Sequence, residues 1–84
     1  MRKIPDIDKT LLIKYMIELG IKEIDIIYCF AKHGILGYEP SLLIEALIIN
    51  KEVIRDKNNE LHLTHKLPSI PKHIAKMIKE CMEK

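Results

Sequence analysis

The chain contains no tryptophan and no glutamine, and only one phenylalanine, three glycines and two cysteines among its 84 residues. Two cysteines cannot build the multi-bridge framework of a small secreted scaffold, and they lack the close spacing of paired zinc ligands. With so few glycines there is no glycine-rich loop to cradle a phosphate and no nucleophile elbow. No run approaches the roughly 18 continuous apolar residues of a membrane span. Met1-Arg2-Lys3-Ile4-Pro5-Asp6 lacks the apolar core of a signal peptide. A soluble, cytoplasmic chain with free thiols is therefore expected, since a Cys29–Cys81 disulfide would require their helices to be neighbours. No carboxylate pair lies beside a nucleophile, and the chain is short for enclosing a substrate cleft. The expectation is a non-enzyme, with no catalytic residues, no cofactor and no metal assigned.

What is present is a globular balance: 48% hydrophobic and 31% charged residues. That length supports one compact core, so residues 1–84 read as a single domain. A core of this size is marginal, and oligomerisation is one way to strengthen it. The net charge of +2 is a smaller excess than strong non-specific nucleic-acid binders carry.

Pro5-Asp6-Ile7-Asp8 reads as a helix start, with Asp6 or Asp8 as the capping acid. Leu11, Leu12, Tyr15, Met16 and Leu19 follow at helical spacing, and Gly20 suits a left-handed helix end. A second helix is predicted from Lys22 to His33, burying Ile24, Ile27, Tyr28 and Ala31 and stopped by Gly34. Gly34 and Gly37 bracket a link to a third helix, Pro40 to Asn50, with Pro40 in its first turn. Glu52–Arg55 and Glu60–Thr64 then alternate as strands around the turn Asp56-Lys57-Asn58-Asn59. A four-residue loop would set Ile54 opposite Leu61 and Arg55 opposite Glu60. Pro68 ends the second strand. Ser69 is expected to cap a last helix with the stripe Ile70, Ile74, Met77, Ile78, Cys81 and Met82, so 69–84 forms a C-terminal helix available for dimerisation.

Helix, helix, turn, helix, hairpin, helix is the order of winged helix-turn-helix proteins. Ser41, Leu43-Ile44-Glu45-Ala46-Leu47, Val53-Ile54-Arg55-Asp56 and Leu61-His62-Leu63-Thr64 resemble the matching parts of winged-helix transcription regulators of bacteria and archaea. The resemblance covers roughly residues 8 to 66. It implies a mainly α fold with a small β-hairpin: three helices, a two-stranded wing and a C-terminal helix. It also implies double-stranded DNA as partner and a homodimeric regulator. One departure is local: such proteins often place a glycine before the first wing strand, where this chain has Asn50-Lys51-Glu52. Asn tolerates the left-handed conformation, which keeps the turn possible.

Two readings follow. In the first, the wing and its flanks hold DNA through Ser41, Lys51, Arg55, Lys57, Asn58 and Asn59; alternatively, Arg55 pairs with Glu60 and the rest is a solvated turn. The third helix suits base reading poorly. Its core face takes Leu43 and Leu47 with Ile44 beside them, leaving Ser41, Leu42, Glu45, Ile48 and Ile49 opposite, where Arg, Lys, Asn or Gln would match base edges. The second reading is therefore a protein-interaction module or accessory subunit. Its interface would comprise Leu42, Glu45, Ile48 and Ile49, with Ile74, Ile78 and Met82 of the last helix. That helix carries Lys72, His73, Lys76 and Lys79 on its other face, fit for solvent or for nucleic acid. Glu80 and Glu83 weaken membrane-surface binding. Cys29 and His33 lie one turn apart on a helix, and His62 and His65 flank the hairpin end, but no set of closely spaced ligands completes a metal site.

Overall fold

A computed structural model of the chain describes residues 6–35 and 38–82, with side chains described from Lys9 onward. The side chains of Asp6 and Asp8, proposed as caps, are not among those described, and the turn at Gly37 lies outside the described residues. The elements are α1 (Asp6–Glu18), α2 (Glu23–Lys32), α3 (Tyr38–Ile49), β1 (Val53–Arg55), β2 (Leu61–Leu63) and α4 (Lys72–Met82). Three helices, an antiparallel two-stranded wing and a C-terminal helix give the winged helix-turn-helix order expected from the sequence.

Helix α1 is the centre of the fold and packs against α2, α3, α4 and β2. Leu12, Ile13, Tyr15, Met16 and Ile17 are all buried, so apolar residues on nearly every side of this helix find a neighbour. Leu19, expected inside, is exposed at the helix end. Lys9 is buried as well, its ammonium 2.8 Å from the Glu39 carboxylate at the start of α3. The Tyr15 hydroxyl donates to the Pro68 carbonyl at 2.8 Å, tying the segment before α4 to the central helix.

Three helices end in the same way. After α1, the Gly20 N–H donates to Ile17 and that of Ile21 to Met16; after α2, Gly34 donates to Ala31 and Ile35 to Phe30. Both pairs are Schellman bonds, and both glycines have positive φ, 79° and 76°. After α3, Lys51 donates to Ile48 and Glu52 to Leu47. The left-handed residue here is Lys51 (φ 62°), not Asn50, because the position bonded to the helix carbonyls lies one residue later than the sequence reading placed it.

The stripe expected to be buried on α2 is also displaced. Ile26, Cys29 and Phe30 are buried, whereas Ile24, Tyr28 and Ala31 are exposed and Ile27 is half-buried. Both sets recur at helical spacing, and packing against α1, α3 and α4 selects the set containing the phenylalanine. On α3 the buried residues are Pro40, Ile44 and Leu47, with Leu43 half-buried.

The wing pairs Val53 with Leu63, Ile54 with His62 and Arg55 with Leu61. The expected Ile54–Leu61 and Arg55–Glu60 pairs do not form. Asn59 is left-handed (φ 67°), its N–H bonds to the Asp56 carbonyl, and the Asp56 N–H bonds to the Glu60 carbonyl, which leaves a three-residue loop at 57–59. A one-residue register shift moves side chains to the opposite face. Val53 and Leu61 therefore point into the core while Ile54 and His62 face outward.

Helix α4 packs on α1 and α2 of its own chain. Ile74 and Ile78, expected at an interface between chains, are buried in this core. The helix starts beyond Pro71, whose carbonyl accepts the Ala75 N–H, and not at Ser69, because the residue preceding a proline is steered away from helical dihedrals. Ile70 is thus outside the helix and exposed. Cys29 of α2 and Cys81 of α4 form a disulfide with Cα atoms 4.9 Å apart, which corrects the free-thiol expectation. None of the described helices is long and apolar enough to cross a membrane.

Candidate functional site

The outward surface of α3 carries Leu42, Glu45, Ala46 and Ile49 at spacings of three and four residues, all exposed. Ile49 is the most open large apolar residue of the described chain at 76%. Ile48, expected on this face, is half-buried against the core, because it lies four residues after the buried Ile44 and so shares its side of the helix. Ser41 is likewise half-buried. The neighbouring helix exposes Ile24 and Tyr28 one turn apart.

Arg55 connects this surface to the wing. Its position on β1 turns it toward the helices, on the same strand face as Val53. Its guanidinium donates to both Glu23 carboxylate oxygens, at 2.9 and 3.3 Å, and also lies 3.5 Å from Glu45. The bond to Glu23, reinforced by the charge of Glu45, pushes the Arg55 pKa up from its ordinary value. A bidentate, doubly countered arginine is held in place, and its charge is largely matched locally. Glu60, the partner proposed from the sequence, is not among these contacts, because the shorter loop pairs Arg55 with Leu61.

The wing tip is built around one carboxylate. Asp56 Oδ1 accepts the N–H groups of Asn58 (2.8 Å) and Glu60 (2.9 Å), and Oδ2 lies 2.8 Å from His62 Nε2. The Glu60 N–H bond, followed by the His62 contact, lowers the Asp56 pKa below its ordinary 3.8. At the wing base, Thr64 Oγ1 donates to the Lys51 carbonyl, while Glu52 binds Lys14 at 2.8 Å and has its pKa lowered by that bond. Lys51, Lys57, Asn58 and Asn59 are exposed around this hairpin. Asn58, Asn59 and Leu61 also line a groove of about 500 Å³ between the wing tip and the α1–α2 corner at Ile21 and Lys22.

On α4, Lys72, Lys76 and Lys79 are exposed, and Met82 alone of the proposed interface trio reaches the surface. The sequence reading missed Glu23. Its role depends on a contact 32 residues away along the chain, which no local pattern announces. No family model matches the chain, and no curated protein or solved structure matches it.

Proposed function

We propose that this winged-helix chain is a non-catalytic protein-interaction module whose α2–α3 surface docks a second copy of the chain. The observation that carries this reading is the state of α3. Its outward residues are Leu42, Glu45, Ala46 and Ile49, and the cation beside them, Arg55, is already held by Glu23 and Glu45. Such a surface offers no donor set matched to base edges. Its carboxylates would also repel phosphates. A two-fold contact brings the same patch from each chain together, and a patch with internally paired charges and exposed apolar groups suits that arrangement. The small core gives association a further benefit in stability.

Light scattering over a dilution series tests the reading. The expected mass is dimeric at high concentration and falls toward the monomer on dilution. Ile49→Glu should weaken association by at least about tenfold, the effect of roughly 1.4 kcal/mol. A monomer mass at every concentration rejects self-association.

A second reading, DNA binding through the wing, is favoured by the exposure of Lys51, Lys57, Asn58 and Asn59 around one hairpin. It predicts affinity for random-sequence duplex that falls steeply with salt and drops with Lys57→Ala. Absence of binding at low salt rejects it.

A further inference from the structure

The fold gathers three soft donors that are far apart in sequence. Cys29 and His33 lie one turn apart at the end of α2, and Cys81 arrives from α4. The two sulfur atoms and a ring nitrogen of His33 all lie within 4.8 Å of one another, and Cys81 Sγ is 3.4 Å from His33 Nε2. We propose that, when the Cys29–Cys81 disulfide is reduced, these three side chains bind one thiophilic divalent cation of the zinc type.

The donor chemistry fits. Zinc takes thiolate sulfur at about 2.3 Å and imidazole nitrogen at about 2.0–2.1 Å in a tetrahedron, which spaces its donors by roughly 3.5–3.8 Å. The 3.4 Å sulfur–nitrogen contact is close to that spacing, and the sulfurs need only separate once their bond is broken. Both cysteines are buried, whereas His33 is half-buried at the rim. Three protein ligands would leave the fourth position open to water on the His33 side.

The surroundings favour a cation independently of the donors. Helix α2 runs toward the site and ends beside it, at Lys32, with His33 as its C-cap. The C-terminal end of α2 brings partial negative charge to the site, which stabilises a cation and disfavours bare thiolates. Metal and thiolates therefore gain from arriving together. The Lys32 ammonium, 2.8 Å from the Cys81 carbonyl, ties the last described turn of α4 to α2 so that Cys81 stays in reach.

The two states exclude each other. A small dithiol reductant would transfer two electrons and two protons to the disulfide, giving two thiols and its own cyclic disulfide. The divalent cation would then replace the two thiol protons, forming two metal–sulfur bonds and releasing the protons to solvent. The same pair of cysteines would thus join α2 to α4 by a covalent bond under oxidising conditions and by a metal under reducing ones.

The test titrates the full chain, reduced with a phosphine under anaerobic conditions and freed of reductant, with Co²⁺ alone and then Zn²⁺ alone. The readouts are thiolate-to-cobalt charge-transfer absorption and far-ultraviolet circular dichroism. The expected result is one Co²⁺ per chain with a charge-transfer band that Zn²⁺ removes, and no such band for the disulfide form. His33→Ala should keep a weakened band and lose at least about tenfold in affinity, while Cys81→Ala should lose the site. A reduced chain that unfolds must refold on adding the metal. A folded reduced chain without the band, an unfolded one that metal does not restore, or equal affinity in His33→Ala would each overturn the proposal.

Discussion

Breaking the Cys29–Cys81 bond should lower the thermal midpoint by about 20–25 °C while leaving the fold in place at room temperature. The disulfide closes a loop with a sequence separation of 52. In the chain-entropy description, cross-linking a loop of that length removes unfolded-state entropy equivalent to about 4 kcal/mol. Unfolding entropy of about 2.1 cal/mol/K per residue gives roughly 0.18 kcal/mol/K for a chain of this size, and the quotient is the stated shift. Since the effect falls on the unfolded chain, native helix content should change little. The measurement is a set of circular-dichroism melts with a metal chelator present, comparing the oxidised chain, the phosphine-reduced chain and Cys29→Ala/Cys81→Ala. The reduced and double-alanine chains should melt close together, well below the oxidised one. A fall of less than about 5 °C, near 1 kcal/mol by the same conversion, would refute the argument that this bond closes a long loop of an otherwise open unfolded chain. Loss of the circular-dichroism signal at room temperature would show instead that the apolar contacts of α4 cannot hold the fold unaided.

Two residues apart on α2, Ile26→Ala should cost about 2–5 kcal/mol, because Ile26 is fully buried. Ile24→Ala should stay within about 1 kcal/mol, and urea midpoints that rank the two the other way would reject the assigned helix face. Lys51→Gly should stabilise the chain by about 0.5–1 kcal/mol in the same assay, since the left-handed penalty of a lysine exceeds the entropy lost by a glycine. A destabilised Lys51→Gly chain would contradict the α3 cap. Asp56 and Glu52 both titrate below their ordinary values of 3.8 and 4.5, so their contribution is complete above those values and disappears as pH falls through the lowered ones. Thermal midpoints should therefore fall below about pH 4.5, and Asp56→Asn with Glu52→Gln should flatten that decline. An unchanged acid limb in the double variant would remove these two groups as its cause.

The sequence by itself determined the order of elements. Glycines at 20 and 34 ended two helices through the same left-handed cap, and the change of period after Asn50 announced a hairpin. These signals are local: a turn residue or a hydrophobic period acts within a few positions of itself. It also marked α3 as ill suited to base reading, since Leu42 and Ile49 have no donor or acceptor to match the hydrogen-bonding pattern of base edges. Tertiary structure decided whatever required choosing between equivalent local options. Two stripes on α2 had comparable periodicity, and burial against three other helices selected one. The hairpin was expected to have a four-residue loop, and burial of both Val53 and Leu61 in the core selected the three-residue one, turning Ile54 outward. Arg55 found Glu23 and Glu45 in place of Glu60 for the same reason. The meeting of Cys29, His33 and Cys81 was the least legible feature, because it exists only once the apolar stripe of α4 docks on α1 and α2 and carries Cys81 across 52 residues of chain.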